Sequence, residues 1–103
     1  MSGLSSEPVI EILRFRLRTG ADEEAFVAAD KRLQAEFAYH QPGLLRRTVA
    51  RGEGQEWVVL SLWATPDSAD AGDALWAPDD ACRAFRSFID AGTVRSERFD
   101  ELD

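Results

Sequence analysis

The sequence predicts a small α+β domain of the ferredoxin-like type. One antiparallel four-stranded sheet carries helices on one face and a second copy of the chain on the other, the arrangement of a dimeric α/β barrel. Three observations predict it. Segments of period two and segments of helical period follow one another in the order β-α-β-β-α(α)-β, the split-βαβ pattern. The chain has 103 residues, 45% of them hydrophobic, which suits one domain and is too short for two. The strands also carry apolar residues on both sides, so helices on one face would leave the other bare.

The first strand is read over Val9–Arg18, with Val9, Leu13, Phe15 and Leu17 on one face and Ile10, Ile12, Arg14, Arg16 and Arg18 on the other. Thr19-Gly20 is a turn signal. Asp22 can cap a helix whose first turn holds Glu23 and Glu24, and Phe26, Ala29, Leu33 and Phe37 form its apolar stripe to about Ala38. Gln41-Pro42-Gly43 stops it. Leu44–Arg51 is a second strand, Gly52-Glu53-Gly54 a hairpin turn, and Glu56–Ala64 the most apolar strand. Thr65 and Pro66 open a short helix to about Leu75, and Trp76-Ala77-Pro78 breaks it. Asp79 or Asp80 starts another helix, striped by Ala81, Phe85, Phe88 and Ile89 and ended by Ala91-Gly92, before a last strand over Thr93–Phe99. Residues 1–7 read as a flexible lead, 8–100 as the domain and 101–103 as a mobile acidic tail. The open sheet face is expected to carry Ile10 and Ile12, or their opposite-face counterparts, with Trp57 or Trp63, and to close by sheet-to-sheet packing in a homodimer.

The formal charge of −7 makes nucleic acid and anionic membrane poor partners. No stretch approaches the roughly 20 apolar residues of a membrane span, and MSGLSSE lacks the regions of a signal peptide. The single cysteine, Cys82, falls in an apolar helical pattern and reads as a small buried hydrophobe. The expected location is the cytoplasm, and arginine-rich, lysine-poor usage points to a GC-rich bacterial genome. Metal-ligand spacing, a phosphate-cradling glycine loop and a nucleophile elbow do not occur in the sequence, so no metal, flavin or nicotinamide cofactor is expected.

The strand closing on Thr19-Gly20, the helix carrying Phe26, the Pro42-Gly43 break and the strand ending Leu62-Trp63 before Ala-Thr-Pro-Asp-Ser-Ala form one ordered pattern. Over Val9–Phe99 it resembles the antibiotic biosynthesis monooxygenase-like family of dimeric α/β barrels. The resemblance implies a pocket between sheet and helices able to hold a flat aromatic molecule. It also implies a cofactor-independent monooxygenase acting on a small phenol, quinol or polyketide, or else a non-catalytic ligand-binding or accessory protein of the same fold. A haem-degrading branch of the family shares only Trp63. Its first-strand asparagine has no counterpart in a chain without asparagine, and His40 precedes the tryptophan instead of following it.

Several residues are candidates for chemistry. His40 titrates near neutrality and can serve as the base that takes a phenolic proton; a helix-terminal histidine meeting backbone carbonyls is the structural alternative. Tyr39 stands beside it. Trp63 and Trp76 can wall an aromatic pocket, while Trp57, six residues from Trp63 on one strand, reads as core. Glu11 interrupts the apolar face of the first strand and should be paired, lie near an edge or serve a site. Arg14 can bind a phenolate or carboxylate, although the favoured reading is a cross-strand or intersubunit ion pair, Arg14 or Arg16 with Glu97.

Overall fold

β1 (Val9–Arg16) runs through the interior of a four-stranded antiparallel sheet, between β3 (Glu56–Trp63) and β4 (Arg95–Asp100), with β2 (Leu44–Arg51) beyond β3. The computed structural model describes residues 7–102. The first six residues of the expected lead, and Asp103 of the expected tail, lie outside them. Three helices connect the strands: α1 (Glu23–Glu36), α2 (Pro66–Trp76) and α3 (Asp80–Arg86). Each begins at a side-chain cap. Asp22 accepts from the Glu24 amide at 2.9 Å, Thr65 from Ser68 at 3.1 Å and Asp79 from Cys82 at 2.9 Å, each satisfying an amide left without an intrahelical partner. Order and topology are those of a ferredoxin-like α+β domain.

Alternation in β1 sorts the sheet into two faces. Val9, Glu11, Leu13 and Phe15 lie opposite Trp63, Ser61, Val59 and Trp57 of β3, and all eight share the face under the helices. There Phe26 of α1, fully buried, sits in a cage of rings. Phe15, Trp57 and Phe88 meet it edge-on at 4.9–5.9 Å, and Phe85 lies 5.0 Å away. Burying one such side chain contributes about 1.5–3 kcal/mol. The other face carries Ile10 beside Leu62 and Phe99, and Ile12 beside Leu60. Trp57 and Trp63 therefore both belong to the helix side, and the open face draws its apolar surface from Val58, Leu60, Leu62 and Phe99.

Some boundaries differ from those expected. The first strand's ladder ends at Arg16, because the Arg16 amide turns to Thr93 Oγ1 and the Arg18 amide to the Phe88 carbonyl. Leu17 keeps an isolated bridge to Ile89. α3 stops at Arg86, so Phe88 and Ile89 pack from a turn instead of a helical stripe. A 3-10 turn over Ala91–Thr93, capped by Asp90, delays β4 to Arg95. At the tail, the Glu101 amide donates to the Pro8 carbonyl at 2.9 Å, which extends the β1–β4 pairing past the strand.

Candidate functional site

Between the sheet and α1 and α2 lies a cavity of about 230 Å³. Its floor is Glu11, Leu13, Val59, Ser61 and Trp63, and its roof includes Leu33, Phe37 and Trp76. The space follows from residue size. Ser61 and Ser96 stand where the sheet would otherwise present large side chains, while Ala38 and Gly72 stand where the helical layer would. Gly72 has a second role, since a Cβ there would run into the Trp63 indole; the tryptophan lies flat under α2 because that position is bare. Trp76 closes the far side, edge-on to Phe37 at 6.1 Å and to Phe85 at 5.8 Å. Arg86 anchors its loop by donating to the Trp76 and Ala77 carbonyls.

Two ionic groups border this apolar space. At one edge, three carboxylates share a single guanidinium. Arg98 Nη1 reaches Asp70 at 2.7 Å, Nη2 reaches Asp73 at 2.8 Å, and Nε reaches Glu11 Oε2 at 3.1 Å. The second Glu11 oxygen, Oε1, accepts from the Trp63 indole N–H at 3.3 Å. Burial first, then the neighbouring Asp73, pushes the Glu11 carboxyl above its ordinary value, and Arg98 pulls the other way. Asp70 foremost, with Asp73 and Glu11, holds Arg98 firmly charged. Under α1, Arg47, its side chain only 7% exposed, donates to Asp30 at 2.7 Å and to Gln34 at 3.3 Å, and its guanidinium lies 5.8 Å from the Phe85 ring centre.

Three of the six residues proposed from sequence, Glu11, Trp63 and Trp76, line the cavity together. Arg14 does not, for it points to the opposite sheet face and stands 4.0 Å from Glu97, both half exposed. His40 is exposed at the end of a 3-10 turn after α1 and is not among the lining residues. Tyr39, 73% exposed, accepts from Gln34 Nε2 at 2.8 Å and borders a separate shallow depression with Leu45 and Arg46. The only histidine of the chain was attractive by elimination, but the tight turn that ends the α1 segment faces it outward. Arg47, Asp73, Ser61 and Gly72 were not anticipated. Cys82 is fully buried in the core, and burial, followed by the Asp79 carboxylate, raises its thiol to about 12. Among the described residues no group of three or more His, Cys, Asp or Glu side chains is arranged to hold a metal ion, and no helix is long and apolar enough to cross a membrane.

The fold is that of the antibiotic biosynthesis monooxygenase structures, over nearly the whole chain. SnoaB, a cofactor-independent oxygenase from Streptomyces nogalater, superposes with a TM-score of 0.74 at 23% identity, covering 94% of this chain and 95% of that one. A candidate antibiotic biosynthesis monooxygenase from Caulobacter crescentus CB15 gives 0.74 at 17% identity, covering 95% and 92%. Another from Chloroflexus aurantiacus J-10-fl gives 0.70 at 21%, covering 93% and 94%. No family model and no curated protein matches the sequence.

Proposed function

We propose that the protein is a cofactor-independent monooxygenase acting on a small phenolic or quinol compound held in this cavity. The observation that carries the reading is the cavity itself: an apolar slot walled by Trp63, Trp76 and Phe37, with one partly desolvated carboxyl at its edge. A cavity of about 150 Å³ accepts benzene, so about 230 Å³ suits a ring system of two fused rings. The likeness to SnoaB, named as a cofactor-independent oxygenase, favours the same chemistry. Without a cofactor the substrate supplies the electrons: a phenol and O₂ give a quinone and water, one oxygen entering the ring and the other leaving in water. Deprotonating the phenol makes the ring electron-rich enough to meet O₂. The protein's part is to orient the ring, exclude water and accept the proton.

A second reading, a non-catalytic ligand-binding protein, is favoured by one feature. The charged groups at the cavity already have partners, Glu11 with Arg98 and Arg47 with Asp30. The two readings separate with 1-naphthol as probe. Saturable quenching of tryptophan fluorescence with matched O₂ uptake and quinone formation is expected of the enzyme. Quenching without O₂ uptake selects the binding protein, and no quenching removes both.

The open sheet face supports a homodimer by sheet-to-sheet packing. Ile10, Ile12, Leu60, Leu62 and Phe99 lie together there, and Leu60 and Phe99 are exposed. Leu60→Lys is expected to shift sedimentation equilibrium from dimer to monomer. A wild-type protein that sediments as a monomer at micromolar concentration removes the proposal. The lone buried thiol of Cys82 suits a reducing compartment, the bacterial cytoplasm.

A further inference from the structure

The base for a phenolic ligand has to be sought inside the cavity, since His40 lies outside its lining. Glu11 and Asp73 are the carboxylates that line it. Their competition for Arg98 is unequal. Asp70 and Asp73 take the terminal nitrogens at 2.7 and 2.8 Å, whereas Glu11 takes Nε at the longer 3.1 Å. Three carboxylates against one guanidinium leave an excess of negative charge, and the cheapest relief is a proton on the member least well paired and most buried. That member is Glu11, whose side chain is 15% exposed against 67% for Asp70 and 54% for Asp73. The groups facing it are Arg98 from β4, Asp70 and Asp73 from α2, and the Trp63 indole N–H from β3. Across the strand from it stands the neutral Ser61. A carboxylate has about four lone-pair sites, so its two observed bonds leave room for a ligand hydroxyl.

Resting on the reading of the cavity as a phenol site, we propose that Glu11 is the proton acceptor for the ligand's hydroxyl. The O–H bond of the ligand breaks, an O–H bond forms on a Glu11 oxygen, and the negative charge passes to the phenolate. Arg98 stays cationic beside the new anion and paired to Asp70 and Asp73. The Trp63 N–H, which donates to Glu11, stands at the same edge, so both donors can stabilise the charge as it moves.

4-Nitrophenol tests this, because its phenolate absorbs in the visible and its binding is read separately by tryptophan quenching. At a pH where the free compound is neutral, the wild-type complex is expected to show the phenolate band. Glu11→Gln should bind the compound with that band weakened roughly tenfold, the effect of about one pKa unit. The ligand-induced infrared difference spectrum of the wild type should gain a protonated-carboxyl band, a measurement that does not depend on the variant folding. Binding with an undiminished phenolate band in Glu11→Gln, or with no protonated carboxyl in the wild type, overturns the role of Glu11 and leaves the cavity reading intact. Absence of quenching overturns the cavity reading, and the role of Glu11 with it.

Discussion

Replacing Gly72 by alanine tests how the cavity wall is built. In an exposed helix interior that change is stabilising, by about 0.8–1.0 kcal/mol of helix propensity. Here the sign should reverse. The new Cβ would overlap Trp63 Cη2 and stand 2.9 Å from Cζ2 and 3.1 Å from Cζ3. Trp63 is only 5% exposed and its indole N–H is engaged with Glu11, so the ring has nowhere to swing without losing that bond. Overpacking of this kind costs about 1–3 kcal/mol. Set against the propensity gain, Gly72→Ala should destabilise the fold by about 1 kcal/mol, and by up to ~2 kcal/mol if the hydrogen bond is lost.

The cause can be isolated with Trp63→Phe. The three indole carbons that crowd position 72 belong to the benzo ring, which phenylalanine lacks at that reach. In the Trp63→Phe background, Gly72→Ala should therefore become neutral or stabilising, by up to about 1 kcal/mol. Urea unfolding of the four proteins, followed by far-UV circular dichroism because the fluorophore itself changes, closes the cycle. A coupling of about 2 kcal/mol between the two sites is expected. Additivity, or stabilisation by Gly72→Ala in the wild-type background, would refute the packing argument.

Three further outcomes follow from the ionic groups and the thiol. Arg47→Met leaves Asp30 largely buried without its partner and should lower stability by roughly 3 kcal/mol, with Asp30→Asn in the same background restoring part of the loss in denaturant titrations. Glu11 binds its proton more tightly folded than unfolded, so its contribution to stability falls as pH rises from the unfolded value, 4.5, through its raised folded value. The stability of Glu11→Gln relative to wild type should accordingly increase with pH across that window, and parallel pH profiles would contradict the shift. Cys82, raised from 9.0 to about 12, should be alkylated at mildly alkaline pH roughly a hundredfold or more slowly in the native protein than in urea; equal rates would show a thiol that is neither buried nor suppressed.

What could be read in advance was what local rules decide. Caps at Asp22, Thr65 and Asp79 declare themselves because the capping side chain lies within three residues of the amide it satisfies. Glu11 was visible because it breaks the alternation of an otherwise apolar strand face. Arg47 was not, and the reason lies in β2. The pairing shifts between Leu44 and Arg46, so counting by twos from Leu44 puts Arg46 and Thr48 beneath the helices. The bulge turns Arg47, Val49 and Arg51 inward instead. Asp70, Asp73 and Arg98 were equally silent. On their own elements they are ordinary polar residues of a solvated face, and only the pairing of β4 with β1 brings Arg98 beside Glu11 and under α2.

The apolar core explains where such a network can be tolerated. α1 buries Phe26 and Leu33, and α3 buries Phe85 with Ala81 and Cys82, all within the aromatic cluster on Phe15 and Trp57. α2 buries only Ala69 and Gly72; Ala69 forms a separate small cluster with Val9 and Trp63, and Trp76 at the helix end packs against the main one. Arg98 of β4 ties α2 to the sheet edge through Asp70 and Asp73. Partly exposed ion pairs contribute little net stability, and of the three helices the one over the cavity fully buries the smallest side chains. Locally weak elements are the ones that open first. The buried core is thus concentrated under α1 and α3, and the helix beside Glu11 is the one seated on the smaller cluster.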